Sequence, residues 1–311
     1  MTDAAPLALD DALLIALLRS VLGSSTLLVS YRVVLRRDDY AVIAATLASP
    51  AREVVVKLAG PRAPIACPFD RTAAIVDLVR RQTPVPTFEV LASDVSYRDW
   101  PWRYLVTTHL PGVAWPTVSA PFMGSAHQTY HDLGQAVAHL HHITFPAFGE
   151  IDADGSVHRG MSLLEALEDR AKHRVADPRH VALFASVLQD RASLFDDVTQ
   201  PALCHEDLNP TNILLQQEDG FWRLSAILDF DSAWAGDPES DLARLDLWRG
   251  MMGDGFRTAY ETIRPIAPRY AERRPVYQLL WCLEYASASP QHLADTAAVC
   301  AKLTIPPITF S

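Results

Sequence analysis

Cysteine is scarce in this 311-residue chain: Cys67, Cys204, Cys282 and Cys300 are scattered, with no C-x-x-C pair. That excludes a disulfide scaffold and a zinc site of paired thiolates. The four are expected to be small buried or half-buried apolar residues in a reducing compartment. Basic residues are in deficit too, 27 Lys and Arg against 37 Asp and Glu, for a net charge of −10. A nucleic-acid partner is not expected, because a phosphate backbone is met by a basic face. No run of 18 apolar residues occurs, so no membrane span is expected. Asp3, Asp10 and Asp11 flank the first apolar run, unlike the basic start of a signal peptide, and the expected location is the cytoplasm. A G-x-G-x-x-G loop, internal repeats and low-complexity segments are also lacking. What is present is enough for a core: 49% hydrophobic and 21% charged residues describe a globular chain of one large or two modest domains.

The chemistry gathers in Leu203-Cys204-His205-Glu206-Asp207-Leu208-Asn209-Pro210-Thr211-Asn212-Ile213-Leu214-Leu215, which reads as strand, polar loop, strand. Downstream, Ile227-Leu228-Asp229-Phe230-Asp231 is an apolar strand ending in two carboxylates. A hairpin here would bring Asp207, Asn212 and Asp229 to one rim. Two carboxylates and an amide are hard oxygen donors suited to Mg²⁺, which keeps several waters and also takes substrate phosphates. A bland alternative is a polar hairpin between two core strands, where any single Asp would be a turn residue.

The spacing matches the kinase catalytic loop H-x-D-x-x-x-x-N, followed by a D-F-x metal motif in which Asp231 replaces the protein-kinase Gly. More widely, the sequence resembles the aminoglycoside phosphotransferase/choline kinase-like enzymes. Gly236-Asp237-Pro238-Glu239-Ser240-Asp241-Leu242-Ala243 is similar to that family's G-D-P-x-x-D-L-A run. Leu133-Gly134-Gln135-Ala136-Val137-Ala138-His139-Leu140-His141 with Phe148-Gly149 resembles its L-H…F-G helix, and Thr83-Pro84-Val85-Pro86 its t-P-V-P link. The resemblance runs from about Lys57 to about Trp248. It implies an α+β, bilobal, protein kinase-like fold: a small antiparallel β-rich N-lobe over residues 1–108 and a larger, mainly helical C-lobe over 109–311.

Periodicity sets out the elements. Residues 7–22 read as an amphipathic helix started by Asp10 or Asp11 and ended by Gly23. Strands are expected over 26–35, 40–47 and 53–58 as an antiparallel meander, with Lys57 near the end of the third. Asp70 is expected to cap a helix over 70–81. A strand over 102–110 runs to Pro111-Gly112, and 116–121 is a linker. Helices are expected over 127–142, 161–176, 179–195, 241–250, 256–264, 276–288 and 291–302. His127, His131, His139, His141 and His142 crowd one helix, but His139 and His142 lack a third ligand in a recognised metal pattern.

The resemblance implies ATP, or GTP, and Mg²⁺ as cofactors. Asp207 would take the acceptor's proton, Asn212 and Asp229 would hold the metal, and Lys57 would fix the α and β phosphates. Thr107, Thr108, His109 and Leu110 would read the adenine edge through the backbone. His205 would brace the loop, Asn209 would reach the moving phosphoryl group or the acceptor, and Asp231 would support the metal strand. Asp237 and Asp241 are expected to make salt bridges and cap a helix. Two departures stand out. The family's helix Glu that pairs the lysine is replaced by Thr72, leaving Asp70 and Asp77, and the phosphate-covering loop falls to Gly23–Thr26 or to the Arg36–Asp39 turn. The resemblance covers enzymes acting on aminoglycosides, macrolides and small metabolites, and the expected acceptor is a small molecule, an aminoglycoside-type or related antibiotic; carboxylates such as Asp254, Glu261 and Glu284 would suit a polyamine or are equally a solvated helix face. Alternatives are a kinase of choline, homoserine or fructosamine type, and a nucleotide-binding pseudokinase without turnover. Protein kinase is disfavoured, since no A-P-E segment follows Asp229.

Overall fold

A computed structural model describes residues 10–63, 68–115, 126–157, 159–248 and 251–310. The expected linker over 116–121 lies outside these, as do residues 7–9 of the first expected helix and 249–250 of another. The chain divides into two compact units: Met1–Gln82 with Pro86–Pro111 and Ala153–Gly155, and Thr83–Val85 with Gly112–Asp152 and Ser156–Ser311.

The first unit is a sheet flanked by helices. Helix α1, Asp11–Leu22, starts where the Asp10 carboxylate accepts the Ala12 N–H at 2.8 Å and stops at Gly23. Strands β1 (Leu27–Arg37), β2 (Tyr40–Ser49) and β3 (Ala51–Ala59) follow, then helix α2 (Phe69–Gln82) and strands β4 (Val90–Asp94) and β5 (Arg103–Thr108). All neighbours pair antiparallel in the order β1-β2-β3-β5-β4. Alternation along β3 sorts its two faces. Val54, Val56 and Leu58 pack on Leu14, Leu17 and Leu18 of α1 with Ile43 and Val106. On the other side Ala59 joins Tyr40, Leu105 and Phe69 of α2. Strand β4 was not expected from the sequence, and its residues are all half-buried, so alternation is weak there. Asp70 is not the cap of α2: it lies within the first turn, where its carboxylate accepts the Arg71 N–H.

The second unit holds strand β6 (Val113–Ala114), helices α3 (Ala126–Leu140), α4 (Leu163–Arg174) and α5 (Pro178–Gln189), and strands β7 (Ala202–Cys204), β8 (Ile213–Glu218), β9 (Phe221–Ile227) and β10 (Trp234–Gly236). Helices α6 (Glu239–Leu247), α7 (Phe256–Ile263), α8 (Tyr270–Glu284) and α9 (Pro290–Leu303) complete it. The expected single hairpin is two separate pairings. Strand β8 pairs with β9, while β7 pairs with β10, Cys204 facing Trp234. Strand β7 is wholly buried, and a partner within the C-terminal half serves it better than the polar loop that follows.

Helix α4 begins with a reciprocal cap in which Ser162 and Glu165 each bond the other's backbone. Helix α8 begins six residues before the expected start and runs through Pro275. The proline forfeits a helical hydrogen bond. Beside it the buried Arg273 donates to both oxygens of Glu239, to Asp197 and to the Leu194 carbonyl, at 2.7–2.9 Å, which fixes the first turns by tertiary contacts.

Helices α3 and α7 approach so closely that a Cβ on Gly134 would lie 2.3 Å from the Phe256 carbonyl oxygen. Backbone blocks that space, so the helices would have to part. The substitution Gly134→Ala is expected to destabilise the protein by about 1–3 kcal/mol, seen as a melting temperature several degrees lower.

Candidate active site

The loop after β7 is held by one carboxylate. Asp241 of α6 accepts the His205 N–H at 2.7 Å with one oxygen and the Glu206 N–H at 2.8 Å with the other. His141 adds a third contact at 3.1 Å through Nε2, and the Tyr260 hydroxyl lies 2.8 Å from His141 Nδ1. With Tyr260 donating to Nδ1, Nε2 carries the proton toward Asp241. Burial holds the His141 pKa below the usual imidazole range. Burial pushes the Asp241 carboxyl upward, but its bonds with His141 and with the His205 amide outweigh that and leave it below its ordinary value. Asp241 is therefore not a helix cap or an ordinary salt bridge: it is the anchor of the loop.

Glu206 has φ 62° and a buried carboxylate. Trp234 Nε1 donates to it at 3.1 Å, Ser240 Oγ donates to the same oxygen, and Arg244 donates to the other at 3.0 Å. Arg170 stands 3.6 Å from that second oxygen and bonds Glu284 at 2.8 Å. Glu284 was expected to face an acceptor, but its side chain is 2% exposed and is committed to Arg170 and Arg244. Burial raises the Glu284 carboxyl, and the two guanidiniums more than reverse this.

With the loop so anchored, Asp207 emerges half-buried. Asn209 Nδ2 donates to Oδ1 at 3.0 Å and Asn212 Nδ2 donates to Oδ2 at 2.9 Å. Asn212 also donates to the Asp207 carbonyl, and its own carbonyl accepts the Leu228 N–H at 2.8 Å. Asp229 follows directly in the left-handed region, with φ 66°. His205 ties the two segments together: Nδ1 accepts the Asp207 N–H at 3.2 Å, Nε2 donates to the Leu228 carbonyl at 2.9 Å, and its ring lies 4.6 Å from that of Phe230. Asp207, Asn209, Asn212, His205 and Asp229 thus belong to one cluster, with Asp231 in the short turn Phe230–Ser232 beyond.

The donor set fits Mg²⁺. The Asn212 amide nitrogen faces Asp207, so its oxygen would be the atom offered to a cation, and Asp229 would add a carboxylate oxygen. Among the described residues no group of three or more His, Cys, Asp or Glu has the arrangement of a metal site. Asn212 and Asp229 would instead supply two protein oxygens, with phosphate and water completing the ligands.

Lys57 lies in the first unit, half-buried between Val42 and Leu105 on the sheet face that carries α2. Thr72 is buried on that helix, while Asp77 is 63% exposed and pairs with Arg81 at 2.8 Å. Asp77 therefore does not take the place of the missing Glu. In the expected adenine-reading stretch, Thr107 faces Val55 in the ladder, the Thr108 N–H donates to Glu89 O and the His109 N–H donates to Glu53 O. Leu110 is the first residue past these bonds. Of the two expected phosphate covers, Thr26 is buried, and the Asp39 carboxylate at the β1–β2 turn accepts the Arg62 N–H at 2.9 Å.

The pattern that defines the phosphotransferase enzyme family matches residues 37–275. A probable ketoamine kinase of Vibrio parahaemolyticus is 30% identical over 105 residues, 33% of this chain and 34% of the relative, so the match spans about a third of that protein's length. Aminoglycoside phosphotransferase APH(4)-Ia, solved with ADP and hygromycin B, superposes with a TM-score of 0.64 at 17% identity, covering 93% of this chain and 95% of that one. A protein assigned as fructosamine-3-kinase from Thermobifida fusca gives 0.63 at 20% identity, covering 93% and 96%. Macrolide 2'-phosphotransferase MphH from Brachybacterium faecium gives 0.56 at 19%, covering 94% and 99%. At these identities the structural likeness is one of fold.

Beside the anchor, Asp237 is buried against Tyr277 and the Glu239 N–H, and burial with the charge of Glu239 pushes its carboxyl up to about 6. The folded protein therefore holds this proton more tightly than the unfolded chain, whose Asp titrates near 3.9, and stability declines as pH rises between those values. Asn at this position keeps an acceptor for Glu239 and removes the titration. The melting temperature of Asp237→Asn minus that of wild type is expected to increase by a few degrees from pH 4 to pH 7, measured by differential scanning fluorimetry.

Proposed function

This chain belongs to the phosphotransferase enzyme family, and we propose that it moves the γ-phosphoryl group of ATP, or GTP, to a hydroxyl of a small molecule. One observation carries the reading. Asp207 is gripped by Asn209 and Asn212, while Asn212 is bonded through its backbone to the residue preceding Asp229. A proton acceptor and two metal-type oxygens therefore share one rigid frame.

Each Asp207 oxygen receives one amide donor and keeps a further acceptor site. Asp207 accepts the proton of the acceptor hydroxyl as its oxygen attacks the γ-phosphorus and the nucleoside diphosphate leaves. Asn212 and Asp229 would hold Mg²⁺, which supplies charge neutralisation at the phosphate oxygens when bound. Lys57 binds the α and β phosphates. Since the frame is fixed by buried bonds, the protein's contribution is position and preorganised charge.

For the acceptor, an aminoglycoside-type antibiotic is one reading and a ketoamine, suggested by the Vibrio relative, is the second. The carboxylates weigh against a polycation. Glu284 is committed to arginines, Glu261 pairs with Arg257 at 3.1 Å, and of the three only Asp254 is exposed and makes no ion pair among the described residues.

Asp207→Ala is expected to lower kcat by about 10²–10⁴-fold or more while the rise in melting temperature on adding Mg·ATP persists. Asp229→Ala is expected to diminish that rise as well. Full turnover in the Asp207 variant would sink the assignment, and nucleotide binding without transfer in wild type would favour the pseudokinase reading. Lys57→Ala is expected to raise the nucleotide KM by about tenfold or more, as loss of one charge-assisted phosphate contact requires. Steady-state kinetics at varied ATP checks this.

A further inference from the structure

A cleft of about 670 Å³ opens beside Asp207. Trp115, Trp248, Trp281 and Tyr285 line it with Met251, and the polar Asn209 and Thr211 flank Asp207. Trp248 meets Trp281 edge-on, with centroids 5.8 Å apart and planes at 78°. Trp281 in turn stacks on Tyr285 at 5.6 Å and 28°. The last two are four residues apart at the end of α8, so they share one side of it. Together the three rings make a continuous wall. Behind it lies the Arg244 guanidinium, 5.2 Å from the Tyr285 ring centre and 6.0 Å from that of Trp281. Among the described lining residues Asp207 is the one carboxylate.

Resting on the reaction proposed above, we infer that the acceptor is a molecule with a broad apolar ring face and at most one positive charge, whose receiving hydroxyl sits at its rim. The volume suits a drug-sized ligand, for which sites of about 300–1,000 Å³ are typical. Tryptophan and tyrosine bury large areas against such faces and lose little conformational freedom in doing so. A polyamine fares worse. Each ammonium laid on this wall loses its water and finds, among the described lining residues, one counter-charge in Asp207, which must keep an oxygen for the hydroxyl. Arg244 behind the rings adds a further cation. A lone quaternary ammonium would leave most of the cleft empty, and the rings it would use already face a guanidinium.

The test uses the full chain. Erythromycin serves as the ring-faced probe with one amine, kanamycin A as the polycation and choline as the small cation. Wild type with Mg·ATP is assayed for a phosphate mass gain on each. Binding is read separately, by tryptophan quenching in Asp207→Asn. Erythromycin is expected to be phosphorylated, and to bind at least about tenfold more tightly than kanamycin A or choline. Adding Trp281→Ala to the Asp207→Asn chain is expected to raise the erythromycin Kd at least about tenfold, with Trp281→Phe restoring most of it. Tyr285→Ala, at a partly exposed position, provides a second variant should Trp281→Ala fold poorly, and the same direction is expected. The inference is overturned if kanamycin A or choline binds more tightly, if erythromycin does not bind, or if both wall variants leave its Kd unchanged. Transfer to kanamycin A would overturn the inference and leave the phosphotransfer reading standing. Tight erythromycin binding with no product from any acceptor would overturn the phosphotransfer reading, and with it the inference that rests on it.

Discussion

Two backbone N–H groups pointing into a protein interior must find acceptors or cost several kcal/mol of lost hydration. At His205 and Glu206 the chain turns out of β7 with Glu206 in the left-handed region, and both amides point inward. The Asp241 carboxylate takes one with each oxygen and is itself fully buried. A buried carboxylate is tolerated because its donors are aligned and numerous. The bond geometry then dictates the rest. The end of β7 is fastened to the first turn of α6, and Asp207 has one direction in which to emerge. Its two oxygens are then fixed by Asn209 and Asn212.

Beneath the loop the charges are nearly balanced. Arg170 and Arg244 face Glu206 and Glu284, all with side chains at most 5% exposed. Such a set is weak as a source of net stability, because desolvation offsets the Coulomb gain. Its value is orientation, since removing any member leaves an uncompensated buried charge. The same guanidiniums lie against rings, Arg170 over Trp234 at 4.9 Å and Arg244 over Tyr285 at 5.2 Å. Arg244 thus touches both the loop, through Glu206, and the cleft wall, through Tyr285.

Local spacing made the candidate site residues easy to group. Asp207, Asn212 and Asp229 lie within two short segments, and oxygen ligands for one ion must be near each other in space. Lys57 stands near the end of the third strand as expected, and its proposed phosphate role comes from the resemblance rather than from its own spacing. What failed were statements about partners distant in sequence. Strand β7 looks like the mate of β8 because they are neighbours along the chain, yet β10 is its partner. Pro275 looks like a helix boundary until the Arg273–Glu239 bonds are known. Glu284 reads as a surface acid on a helix, and only the positions of Arg170 and Arg244 reveal it as internal.

The cleft illustrates why acceptor choice is harder to read than chemistry. Trp115, Trp248 and Trp281 come from three remote segments, and none has a spacing that singles it out from core aromatics. Phosphoryl transfer demands a few oxygens at fixed separations, so its residues cluster and recur in order. A binding wall demands only area, shape and an absence of competing charge, which many combinations of residues meet. The two therefore vary independently on one scaffold. The motif H-x-D-x-x-x-x-N and the residues that line the cleft beside it are therefore separate variables, and the first does not determine the second.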